Sequence, residues 1–281
     1  MMSTETLAIF CGLGSAAAWG AGDFSGGFAS RKGNLLGVIL FSQLLGGLLL
    51  LAMALVFFET IPPVEHLFYG VLAGVFGNFG LIALYKGLSQ GRMGIVAPLS
   101  AVLTALVPIG YTALNEGLPT IAQLIGFLCF IVAIWLLSSA DAGFKMTLNE
   151  LFLSIIAGLG FGLFFIFIDK ANDLAIFWPL VGARIASVSS LFIMILMGGK
   201  SAKPLNGQWI LIGITGVLDA AGNAFFSLAA HLGRLDVSAV LGSLYPAATV
   251  MLAWFFLKER LHQKQWIGVA TAFAALILIS I

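Results

Sequence analysis

The chain has 281 residues, of which 60% are hydrophobic and 9% charged, with a mean hydropathy of +1.09 and a net charge of +1. A water-soluble globular chain carries roughly 25% charged residues, so this composition cannot cover a water-facing surface and reads as a polytopic membrane protein. A net charge this small, spread over the loops, offers no concentrated basic patch and excludes a nucleic-acid partner.

A membrane span takes about 20 apolar residues. Ten such stretches follow one another, at 6–28, 35–58, 66–88, 93–114, 119–139, 149–169, 175–197, 208–230, 235–257 and 265–281. The first begins in MMSTETLAIF, which lacks the positive n-region of a signal peptide, and its apolar run continues past signal length; it is expected to be a span, not a cleaved leader. The connections are short, and the longest, DAGFKMTLNE and GKSAKPLNGQ, cannot hold a soluble domain. Function must therefore reside in the bundle. Strands are excluded, because the runs lack period-2 alternation and are about twice the length of a barrel strand. Glycines at small-xxx-small spacing, Gly22/Gly26, Gly70/Gly74 and Gly158/Gly162, read as close helix contacts. In spans one and eight they would also permit local unwinding. Cys11 and Cys129 lie in apolar runs and read as small core residues, and no His/Cys cluster suggests a metal.

Sliding the chain against itself gives a recurrent offset of 142 residues. Trp19-Gly20 falls on Phe161-Gly162, Gly74 on Gly216, Gly80 on Gly222, Gly91-Arg92 on Gly233-Arg234 and Gly126 on Gly268; with a one-residue slip, Glu116 falls on Glu259. The ten spans thus divide into two five-helix halves, 1–140 and 149–281. With an odd number of spans each, related halves must insert with opposite orientations. That is an inverted repeat around a central cavity, with a substrate site at mid-depth, as in many secondary transporters.

The stretches WGAGDFSGG, ALYKGLSQGRMGIVAPLSAV and VSAVLGSLYPAATVMLAWFFLKERLHQKQWIGVATAFAALILIS resemble the drug/metabolite transporter superfamily, EamA-type family. Pro246, Glu259-Arg260 and Gln265…Gly268 carry the resemblance most closely. It extends over essentially the whole chain and implies ten helices in two inverted halves, moving metabolites, amino acids or drugs by alternating access. The first half departs from the pattern: Asn115-Glu116-Gly117 stands where the second half has Lys258-Glu259-Arg260, and Pro98 and Pro108 are placed differently from Pro246.

Loops 1–2, 3–4, 5–6, 7–8 and 9–10 hold ten Lys and Arg, the other loops only Lys170 and Arg234. The positive-inside rule puts the first set in the cytoplasm and both termini outside. Members of the resembling family are usually drawn with both termini inside. A multi-pass protein of the cell membrane is expected.

Charges away from loop ends are few: Asp23, Arg184 and Asp219. An ionisable group at membrane depth is expensive unless paired or wetted, and marks a functional site by default. Asp219 is deepest, mid-way through its span. As a functional group it lines the cavity and takes up a proton or cation, since dry surroundings favour the neutral form of a carboxyl and wet ones the charged form. As a structural group it pairs with Arg184. Arg184 either meets a substrate carboxylate or phosphate through its bidentate fork, or is structural, snorkelling to an interface or neutralising Asp219 or Asp169. Asp23 either caps broken helix geometry or faces a vestibule. Asn78 and Asn223 occupy nearly matching positions under the repeat and are cavity-lining or helix-bridging amides. Trp19 and Tyr245 are deep aromatic candidates for ligand contact, and Tyr85 reads as an interfacial belt residue.

The candidate substrate or coupling-ion residues are therefore Asp219, Asn223, Asn78, Arg184, Trp19, Tyr245 and Asp23, without a cofactor and without a metal. No GxxxxGK[ST] is present, so ATP is not the direct driver. The leading reading is a secondary active transporter of a small polar metabolite, such as an amino acid or amine, with protons as a coupling ion; the family resemblance implies export. An intramembrane carboxylate enzyme and a passive channel are the alternatives. Neither HExxH nor GxSxG is present for the former.

Overall fold

The structure, a computed structural model, describes residues 3–32, 34–89, 93–115, 117–138, 147–198, 202–205, 207–257 and 263–279. Their regular elements are helices: α1 (Thr4–Lys32), α2 (Leu35–Val56), α3 (Val64–Ser89), α4 (Met93–Asn115), α5 (Ile121–Ser138), α6 (Leu148–Ala171), α7 (Phe177–Gly198), α8 (Trp209–Leu232), α9 (Leu235–Gly242), α10 (Tyr245–Leu257) and α11 (Gln263–Ile279). Six of them, α1, α2, α3, α6, α7 and α8, are long and apolar enough to cross a bilayer. Leu48, Phe58, Ile210 and Met197 are among many large apolar side chains left on the outside, a surface suited to lipid and not to water.

The ninth apolar stretch does not form one continuous helix. It breaks at Ser243–Leu244 into α9 and α10. Pro246 explains the break: it has no N–H for the carbonyl one turn back, and its ring would collide with that carbonyl in an unbroken helix. By contrast α1 and α8 run unbroken past their glycines, in keeping with glycines that serve close helix packing. Helix ends follow local chemistry where a cap is at hand. Thr147 and Glu150 form a reciprocal capping box at α6, and the Asn34 side chain accepts from Gly37 N at α2. The N-terminus of α7 is capped from far away instead. The Glu59 carboxylate accepts the backbone N–H groups of Ile176 (2.6 Å), Phe177 (2.9 Å) and Trp178 (2.9 Å), three of the donors a helix start leaves without partners.

The packing repeats itself with the halves exchanged. Helix α1 lies along α8 and α6 lies along α3; α1 meets α9 and α10 while α6 meets α4; α2 packs on α8 and α7 on α3; α2 meets α7 and α5 meets α11. Individual contacts follow suit. A Cβ on Gly222 would stand 2.5 Å from the Trp19 ring, and one on Gly80 would stand 2.8 Å from the Phe161 ring, the residue 142 positions on from Trp19. Backbones also touch at matching places: Gly74 against the Ala183 carbonyl, and Gly216 against the Ser42 carbonyl at 2.6 Å from the same hypothetical Cβ. These crossings require glycine, because any side chain would push the helices apart. Of the sequence matches, those on Gly91, Arg92, Glu116, Glu259 and Arg260 lie outside the described residues.

Candidate functional site

Where α1, α2, α3, α4, α6, α7, α8 and α10 converge, they leave a cavity with about 670 Å³ of unfilled space, its open mouth included. All seven residues singled out from the sequence, Trp19, Asp23, Asn78, Arg184, Asp219, Asn223 and Tyr245, lie on its wall, and so does Gly77, the repeat counterpart of Asp219.

At the centre is an ion pair. Asp219 Oδ2 lies 2.7 Å from Arg184 Nη2, with both side chains largely buried. Gln43 braces it from both sides: its Oε1 accepts from Arg184 Nη1 and its Nε2 donates to Asp219 Oδ2 at 3.3 Å. Asn223 Nδ2 donates to the Asp219 backbone carbonyl at 2.6 Å and reaches Oδ1 at 3.4 Å. One turn separates Asp219 from Asn223 on α8, which puts them on the same face. Of the two readings open for Arg184, this geometry realises the pair with Asp219. Breaking such a buried pair from one side leaves an uncompensated charge, at about 3–5 kcal/mol.

Asp23 sits elsewhere on the wall, one turn before Gly26, over which the Tyr85 hydroxyl stands. Its helix is continuous there, so it faces the cavity and does not cap a break. Tyr85 is 1% exposed and its hydroxyl stands over Gly26. The belt position expected for it is corrected: the small residues of α1 open a slot that admits the ring to the interior. Tyr245 is also buried, its hydroxyl 2.7 Å from Ser100 Oγ and donating to the Ala97 carbonyl at 3.2 Å. Asn78 donates through Nδ2 to Ser190 Oγ at 2.8 Å, while its Oδ1 has no hydrogen-bond partner. Trp19 stacks on Phe165 with centroids 5.5 Å apart, and Phe165 stacks on Phe226 at 4.0 Å. With Phe161 and Phe164 these rings make one wall aromatic.

Sequence reasoning missed Gln43, Phe161, Phe164, Phe165 and Ser187 as wall residues. Gln43 had a signal. It is the amide within the apolar run of span two, and with a one-residue slip the 142 offset carries it onto Arg184, the residue it touches. The phenylalanines had none, because a buried ring and a cavity-lining ring look alike in an apolar run.

A profile of the EamA-like transporter family matches twice, at residues 6–139 and 148–281. The chain belongs to the EamA-like transporter family. It is a multi-pass membrane protein of a family of transporters, consistent with the drug/metabolite transporter superfamily. It is similar to an uncharacterized protein of Methanocaldococcus jannaschii, at 31% identity over 137 residues, which is 48% of this chain and 98% of the relative. That relative is therefore the size of one repeat. A solved protein crystal structure superposes with a TM-score of 0.79 at 15% identity, over 98% of each chain; the likeness shows a shared fold.

Proposed function

We propose that this EamA-family protein is a secondary active exporter of a small polar metabolite, an amino acid, amine or similar, in the cell membrane. Ten spans in two inverted halves, 1–140 and 149–281, would rock about the cavity and open it to one side at a time. The observation that carries this reading is the cavity itself, whose polar wall is drawn from both halves: Asp23, Gln43 and Asn78 from the first, Arg184, Asp219 and Asn223 from the second. A site shared across the seam between two moving bodies is remade whenever they move. The reciprocal packing of α1 on α8 and α6 on α3 supports two related bodies.

Coupling to protons falls to the cavity carboxylates. In this state Asp219 is held by Arg184 from its own half and by Gln43 from the other. The test is exchange flux in proteoliposomes. Saturable counterflow driven by a pH gradient, lost in Asp219→Asn, is expected. Unitary ionic currents in place of saturable flux would establish a channel, and chemical turnover without flux an enzyme. An Asp219→Asn protein that keeps full pH-driven flux removes proton coupling through this residue.

A further inference from the structure

The fixed charges on the cavity wall do not balance. Two carboxylates, Asp23 and Asp219, and one guanidinium, Arg184, line it. The guanidinium is already matched: Asp219 sits 2.7 Å from it, and Gln43 bridges the pair. Among the described residues no Lys or Arg forms a salt bridge with Asp23. When Asp23 is ionised, one negative charge is left over. In a water-poor site an unpaired carboxylate is costly, so that charge stands only where a cation meets it. Two further observations point the same way. Asn78 is 3% exposed and its Oδ1, an acceptor, has no partner, so a polar group on this wall lacks a donor. The wall also carries Trp19, Phe161, Phe164, Phe165 and Tyr245, aromatic faces that attract a cation through their quadrupoles.

From this we propose that the cavity takes an organic monocation, a protonated amine whose charge is met by Asp23 and whose carbon skeleton lies against the aromatic wall. The amine's N–H groups donate to the Asp23 carboxylate. An anion meets two carboxylates, and gains a cation only by parting Arg184 from Asp219. A zwitterion leaves the surplus charge in place. This rests on the cavity being the transport site, and it narrows the substrate from small polar metabolites in general to amines.

Three probes with one ring and different charges test it: phenethylamine, phenylalanine and phenylacetate, titrated calorimetrically into the purified full chain at neutral pH. Phenethylamine is expected to bind at least about tenfold tighter than the other two, because like charges facing each other suppress the wrong partner. Asp23→Asn, checked for folding by size exclusion and thermal melting, is expected to weaken the amine about tenfold or more, with Asp23→Glu restoring most of it. Equal or tighter binding of phenylalanine or phenylacetate, no amine binding at millimolar concentration, or a folded Asp23→Asn protein with unchanged amine affinity each overturns the proposal. The wild-type series needs no variant, so it decides even where a substitution prevents folding. Flux of the same probes separates this proposal from transport. Amine-selective, Asp23-dependent binding without flux upholds the cation site and removes the transporter reading; saturable flux that favours phenylacetate removes the cation site and upholds transport.

Discussion

Midway along α3 and midway along α8 the duplicated chain reaches equivalent places, and the two have been furnished differently. On α8 the position holds Asp219, paired with Arg184. On α3 it holds Gly77, where even a Cβ would stand 3.0 Å from the Phe164 ring. Both helices carry an amide close by, but Asn223 is spent on Asp219 while the Asn78 carbonyl oxygen is unpaired. One level away the halves agree again, with Trp19 on Gly222 and Phe161 on Gly80. The frame is therefore symmetric and the charge is not. The repeat sets how the helices approach, whereas the Arg184–Asp219 ion pair lies in one half and is braced from the other by Gln43.

Breaking the asymmetric element has the largest expected effect. Arg184→Leu leaves Asp219 buried without its partner and should cost about 3–5 kcal/mol, seen as a large drop in melting temperature in detergent. The double variant Arg184→Leu/Asp219→Leu, which removes both charges, should recover much of that loss; a double variant no more stable than the single one would show that packing, and not charge, is at stake. The symmetric frame is tested next. Gly74→Ala and Gly216→Ala each force a methyl against a backbone carbonyl of the neighbouring helix, and each should cost about 1–3 kcal/mol. Thermal melts in which one substitution is harmless and the other severe would break the equivalence of the two crossings.

A smaller difference between the halves lies at the starts of α2 and α7. Asn34 caps α2 locally, but Glu59 caps α7 from the connection between α2 and α3. Glu59→Ala should therefore cost about 1–2 kcal/mol, and hydrogen exchange should rise at the start of α7, not in α3. Smallest is Asn78→Ala, where one bond to Ser190 is lost; stability should fall by about 1 kcal/mol or less, while ligand affinity, read by the same titration, falls more.

Much of this was legible in the sequence because membrane composition and repeats speak plainly. Helix positions, the 142-residue offset and the seven wall residues are all carried by apolar length and by the rarity of polar groups in the spans. What stayed hidden depended on partners. The break before Tyr245 needed Pro246 to be read as a stop within an apolar run that otherwise continues. Tyr85 looked interfacial because nothing in its neighbourhood along the chain reveals that Gly26 of a distant helix makes room for its ring. Whether Arg184 faced a substrate or Asp219 depended on the rotation of α7 against α8, which single-residue patterns do not encode.

The central claim, that the cavity between the halves opens to each side of the membrane in turn, can be measured without knowing the substrate. Ser187 lines the cavity and is buried, with its hydroxyl on the Gly74 carbonyl. Ser187→Cys, in a chain whose Cys11 and Cys129 have been replaced by alanine, would be labelled with a membrane-impermeant maleimide in right-side-out and in inside-out vesicles. Alternating access predicts labelling from both sides, without ionic conductance across the same membranes. Labelling from one side only, or from both sides together with a standing conductance, would contradict it.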